Sequence, residues 1–138
     1  MEKIEEIRPK QVIVIRKDLN MRKGKMVAQG SHASSKEFLD SHAVSEKDGY
    51  KTFTFTCKVG SAWDDWLSEK FTKVVCSCKN EEELLELYNQ AKQDKIPCSL
   101  IVDSGFTEFH GIPTKTCISI GPDFPDKIDK ITGHLNLL

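Results

Sequence analysis

The run Gln11-Val12-Ile13-Val14-Ile15-Arg16 constrains this chain more than any other stretch. Four consecutive β-branched apolar residues leave no polar face, so the segment suits a strand covered on both sides rather than an edge or a surface ribbon. A strand buried on both faces needs layers above and below it, which points to an α/β domain. The following residues supply one. After a turn at Asp18-Leu19-Asn20, the pattern from Arg22 to about Asp40 becomes helical, with Met26, Val27, Ala33 and Phe38 able to face a core. Lys25, Gln29, His32 and Lys36 fall at offsets 0, 4, 7 and 11 and therefore share one helix face.

The rest of the chain alternates in the same way. Lys73–Cys78 reads as a strand. Asn80 caps a helix that opens with Glu81-Glu82-Glu83, acids favoured by the positive helix end. That helix must stop before Ile96-Pro97, because the residue ahead of a proline avoids helical geometry. Cys98–Val102 and Thr114–Ile120 are further strands, and a short helix from Asp126 to Thr132 ends at Gly133, expected as a left-handed cap. Between the first helix and Lys73, Lys47-Asp48-Gly49 signals a turn, Thr52–Cys57 alternates as a half-exposed strand or ribbon, and Trp63, Trp66 and Leu67 fit a short amphipathic helix ending near Lys70. The sum is a single α/β domain over 1–138: a mixed, mostly parallel sheet of about four core strands with helices on both faces. The right-handed crossover rule argues for the parallel majority. The Val102–Thr114 connection is too short for a crossover helix, so one antiparallel pair is expected there.

Charge and cysteines narrow the function. The net charge is −1, yet residues 1–36 carry nine basic and four acidic side chains, a local patch able to meet phosphates. A solvated Lys-rich face explains the same count. Five cysteines (Cys57, Cys76, Cys78, Cys98, Cys117), an odd number in a chain whose first residues are acidic rather than basic and greasy, argue against a disulfide framework and a secretory signal. Cys76 and Cys78 lack a second close pair to complete a metal site and read as buried thiols. No apolar stretch approaches the ~20 residues that cross a bilayer, so a cytoplasmic protein without a membrane partner is expected. There is no Gly-x-Ser-x-Gly elbow, no His pair one helical turn apart, and no upstream glycine to make Gly24-Lys25 a phosphate loop.

Three blocks now placed on these elements resemble the type-II peptidyl-tRNA hydrolase family. The first runs from Gln11 to Ala33, where the family has a strand followed by R-x-D-L-x-M-x-x-G-K-x-x-A-Q-x-x-H-A. The second, Asp103-Ser104-Gly105-Phe106-Thr107, is close to D-A-G-x-T. The third, from Thr116 through Ile120-Gly121-Pro122 to Thr132-Gly133-His134-Leu135, resembles T-x-x-x-I-G-P and a closing T-G-H-L. Ser104 stands where Ala is common and Gly30 where Cys often appears. Residues 43–60 look longer than the family's usual connection, an atypical insertion that leaves the tRNA-facing surface open.

The resemblance implies hydrolysis of the ester between a peptide and the terminal ribose of its tRNA, with no cofactor and no metal. It implies Lys25, Gln29, Asp103, Thr107 and Thr116 as the catalytic set. His32, Lys23, Arg22 and Lys17 are candidates for holding the substrate, and a homodimer is implied because family members often form one. Residue chemistry is compatible with this: a water must be positioned, its proton accepted, and an oxyanion met by donors. Asp103, at a strand end before a glycine turn, lies where α/β sheets present groups to a crevice. Taken singly, Lys25 is a surface lysine, Asp103 a turn residue bonding nearby amides, and Thr107 and Thr116 a cap and a strand residue. His32 divides evenly between site and packing. His110 is a weaker candidate, and His42 and His134 read as structural. Two other readings stay open: a module that binds tRNA without cutting it, and an interaction protein that docks a partner through Trp63-Trp66.

Overall fold

A computed structural model describes residues 7–106 and 108–138. The apolar run forms β1 (Lys10–Arg16), and its alternate side chains divide between two cores as a doubly covered strand requires. Val12 and Val14 pack with Leu84, Leu87 and Ala91 of α3 (Glu81–Gln93) and with Ile128 and Ile131 of α4 (Pro125–Thr132). Ile13 and Ile15 pack with Ala33 and Met26 of α1 (Lys23–Asp40) on the other face. Helices therefore cover both faces, as expected.

The sheet contains β4 (Lys73–Cys78), β5 (Cys98–Asp103) and β6 (Thr114–Asp123) in the order β4-β1-β6-β5. It is mixed, but the balance of directions corrects the expectation of a mostly parallel sheet. Only β1 with β4 is parallel, while β6 runs antiparallel to both β1 and β5. The crossover rule was sound for three strands, since β1, β4 and β5 all point the same way. What it does not anticipate is that the last strand inserts between two of them and turns both ladders antiparallel. The short Val102–Thr114 connection gives the expected antiparallel pair.

Local signals were otherwise informative. Asn80 Oδ1 accepts a hydrogen bond from the Glu83 amide at 2.9 Å and caps α3. Cys76 and Cys78 lie in the α3-side core, and burial pushes the Cys78 thiol up to about 11. All five cysteines are free. Gly133 ends α4 but with φ −62°, so it is no left-handed cap. A Cβ there would sit 2.6 Å from the Asp129 carbonyl oxygen, and close approach rather than a special φ accounts for the glycine.

Residues 43–54 form a separate ribbon, β2 (Ala43–Lys47) with β3 (Tyr50–Thr54). Asp48 and Gly49 both take positive φ, as a two-residue hairpin turn demands. Its strands are exposed throughout. The expected strand starts two residues earlier than Thr52 and stops at Thr54, because Phe55 turns inward. There it meets Phe38 and Trp63 at centroid distances of 5.2 and 4.8 Å. Trp66 of α2 (Ala62–Ser68) is 1% exposed and stacks on Phe38. The Trp63–Trp66 segment is thus internal packing, which removes the basis for reading it as a docking surface. No helix among the described residues is long and apolar enough to cross a membrane.

Candidate active site

The candidate site is built where α1 begins over the tips of β5 and β6. Asp103 ends β5, and its carboxylate collects three donors from two directions. Lys25 Nζ reaches Oδ1 at 2.9 Å, Gln29 Nε2 reaches the same oxygen at 3.2 Å, and the Gly105 amide reaches Oδ2 at 2.9 Å. Thr116 Oγ1, from β6, donates to Gln29 Oε1 at 2.5 Å. The order of these bonds fixes the Gln29 amide: its oxygen faces Thr116 and its nitrogen faces Asp103. Helical spacing explains why Lys25 and Gln29 act together, since residues four apart stack on one face.

Burial gives the cluster its electrostatic character. The side chains of Lys25 and Asp103 are only 13% and 14% exposed. Gln29 and Thr116 are fully buried. The Lys25 ammonium, with help from the Gly105 and Gln29 donors, holds the Asp103 carboxyl below its ordinary value against the opposing effect of burial. Asp103 is therefore ionised at neutral pH, an anion that orients donors and water better than it removes protons. The lowered pKa has a consequence for stability. A carboxyl depressed on folding contributes stability above its unfolded pKa and loses it as pH falls through the folded one. Asp103→Asn should accordingly flatten the acid side of a stability–pH curve measured by denaturant titration between about pH 2 and 5, while an unchanged acid limb would contradict this account.

Of the expected catalytic set, Lys25, Gln29, Asp103 and Thr116 come together; Thr107 lies outside the described residues. The substrate-holding candidates do not join this hydrogen-bonded group. Lys17, Arg22 and Lys23 are exposed along the β1–α1 junction, with Arg22 Nε 4.0 Å from Glu108. His32 is exposed two turns along α1. His110 is exposed in the β5–β6 loop with φ 54°. Among the described residues no group of three or more His, Cys, Asp or Glu could hold a metal ion.

Three contributors were not legible as site residues. Gly105 was read as turn chemistry, and it is, but that turn delivers its amide to Asp103; the turn reading and the site reading describe one bond. Phe109 places its ring 5.7 Å below Lys25 Nζ, a cation–π contact no spacing rule would find. Cys117 Sγ donates to the Gln29 carbonyl at 3.2 Å. A cavity of about 740 Å³ lies on the other flank of α1, lined by Ile13, Ile15, Val27, Phe38 and Phe71 among others. It includes none of the four clustered residues. Its lining is mostly apolar, with Lys23, Lys73, Ser31, Ser34 and Ser35 as its polar members, and it carries no carboxylate.

The family model for "Peptidyl-tRNA hydrolase PTH2" matches residues 9–138. The chain belongs to that family. Relatives in the PTH2 family, each named peptidyl-tRNA hydrolase, extend over nearly the whole chain. The Methanocaldococcus jannaschii protein is 45% identical over 129 residues, covering 94% of this chain and 99% of its own. The Methanothermobacter thermautotrophicus protein is 41% identical over 131 residues, with 94% and 99% covered. The Haloquadratum walsbyi protein is 38% identical over 128 residues, with 93% and 98% covered. Membership at this coverage embraces both halves of the candidate site, the α1 pair and the β5–β6 pair.

Proposed function

We propose that this protein hydrolyses peptidyl-tRNA, freeing tRNA from a stalled peptide, and that Lys25, Gln29, Asp103, Thr107 and Thr116 carry the reaction. The observation that bears most weight is Asp103 receiving both Lys25 and Gln29 on one oxygen. Water attacks the ester carbonyl, a tetrahedral oxyanion forms, the bond to the ribose oxygen breaks, and the water proton ends on that oxygen. A carboxylate offers about four acceptor positions; among the described residues three donors reach it, and we assign a further position to the attacking water. Lys25, anchored by Asp103 and one helical turn from Gln29, supplies a charged donor for the oxyanion. Gln29 and Thr116 then keep the carboxylate and the amine in register rather than exchanging protons. Thr107, two residues past Gly105, is assigned here by its place in the D-x-G-x-T block.

The exposed cations Lys17, Arg22 and Lys23 are proposed to meet tRNA phosphates, with His32 further along the same helix. About three phosphate contacts predict roughly a forty-fold loss of tRNA affinity between about 50 and 200 mM salt. A flat salt response would remove this surface from the interface. We further propose that the enzyme works in the cytoplasm, as a homodimer, from one domain over 1–138 on which residues 43–60 are an elaboration. The exposed ribbon supports the last point, and sedimentation at micromolar concentration tests the dimer.

The deciding experiment is incubation with labelled peptidyl-tRNA. Release of free tRNA above the buffer rate is expected. Tight binding without release would instead favour a module that holds tRNA without cutting it.

A further inference from the structure

Thr116 points the wrong way for a regular strand. On β6, Cys117 and Ser119 face α1, whereas Ile118 and Ile120 face α3 and α4. Strict alternation would turn Thr116 toward α3, away from Gln29. The β5–β6 register explains the reversal. Ile101 pairs with Cys117 and Val102 with Lys115, so one extra residue, Thr116, is inserted in β6. Thr116 and Cys117 together oppose Ile101, and both side chains reach the Gln29 turn of α1. This is a β-bulge that re-aims a side chain. Lys115 is displaced to the opposite face, where its ammonium lies 3.9 Å from Glu81 of α3.

A bulge needs something to hold it. The β1–β6 ladder stops at Ile15 and Cys117, one residue short of it. At that point the Arg16 guanidinium donates to the Lys115 carbonyl at 2.9 Å. The same fork is clamped by Asp18, with Nε to Oδ1 at 3.0 Å and Nη2 to Oδ2 at 2.7 Å. The Arg16 side chain is 11% exposed. Planar, five-donor guanidinium can satisfy a carboxylate and a carbonyl at once, which a single ammonium cannot do with the same geometry.

We infer that Arg16 is a positioning residue for the hydrolysis: through the Lys115 carbonyl it holds the β6 bulge that turns Thr116 toward Gln29. The inference rests on the reading of Thr116 as part of the site. Arg16 touches no reacting atom in this account, and Asp18 acts only by orienting the fork.

The test compares Arg16→Lys, Arg16→Gln, Thr116→Val and both double variants, measuring kcat and KM on peptidyl-tRNA together with thermal melting. Each Arg16 variant should lower kcat about tenfold with KM within about twofold of the parent. In the Thr116→Val background, the Arg16 changes should cost nothing more, because the group they position is gone. A general loss of stability would not produce that non-additivity, and Arg16→Lys, which retains charge, guards against a variant that fails to fold. Multiplying losses in the double variants, or parental kcat in Arg16→Lys and Arg16→Gln while Thr116→Val is impaired, overturns the role of Arg16 alone. Parental kcat in Thr116→Val, with Lys25→Ala inactive, overturns the placement of Thr116 and the inference with it.

Discussion

Asp103→Asn is expected to lower kcat on peptidyl-tRNA at least ~100-fold, the range usual when a charged hydrogen-bonding group is lost at a reacting centre. The reason lies in the donors that converge on it. Lys25 and Gln29 share Oδ1, and the Gly105 amide takes Oδ2. An asparagine side chain offers only one acceptor oxygen, so its amide nitrogen must confront either Gly105 or the Lys25–Gln29 pair, donor against donor. The charge that anchors the lysine disappears as well. Lys25→Ala should fall as far, by removing the cation and leaving a largely buried carboxylate without its strongest partner. Initial rates with labelled substrate, alongside circular dichroism to verify the fold, measure both. Near-parental rates in the two folded variants would take both residues out of the mechanism.

The second large effect is expected at Gly105. Its φ is +84°, a region side chains rarely enter, and a Cβ there would lie 2.2 Å from the Ile112 carbonyl oxygen and 2.7 Å from the Ile112 nitrogen. Both obstacles are backbone, so no rotamer change relieves them. The Gly105 carbonyl also accepts the amides of Phe109 and Gly111, which makes this residue the hub of the loop. Gly105→Ala should therefore cost at least about 2 kcal/mol of folding stability. It should also depress kcat by an amount approaching that of Asp103→Asn, since the displaced amide no longer seats the carboxylate. Chemical denaturation and turnover report the two consequences separately. Unchanged values in both would contradict the close approach on which the argument stands.

Much of this could be read from the residues because it was local. Val12-Ile13-Val14-Ile15 specified a strand with two covered faces, Asn80 before three glutamates specified a helix start, and Lys25 with Gln29 specified a shared helical face. What escaped depended on contacts between distant segments. Nothing in Thr114–Ile120 says that this strand will lie between β1 and β5, so the direction of two ladders was missed. Strand periodicity assumes strict alternation, and the inserted Thr116 breaks it; the residue was placed in the candidate site by resemblance, not by spacing. Val27 looked like a core residue on its helix but is 69% exposed, because α1 leaves the β1–β4 side of the sheet open along its flank. β2 carried almost no signal, since Ala43-Val44-Ser45-Glu46-Lys47 hydrogen-bonds to a neighbouring strand without burying a face.

The order of strands also governs when such an enzyme can exist during its own manufacture. β6 is the last of the strands to be translated yet occupies the middle of the sheet, and Thr116 sits on it. While the ribosome is still reading upstream of that strand, β1 and β5 have nothing between them and Asp103 has no threonine behind its glutamine. The site is therefore complete only once β6 has docked between β1 and β5.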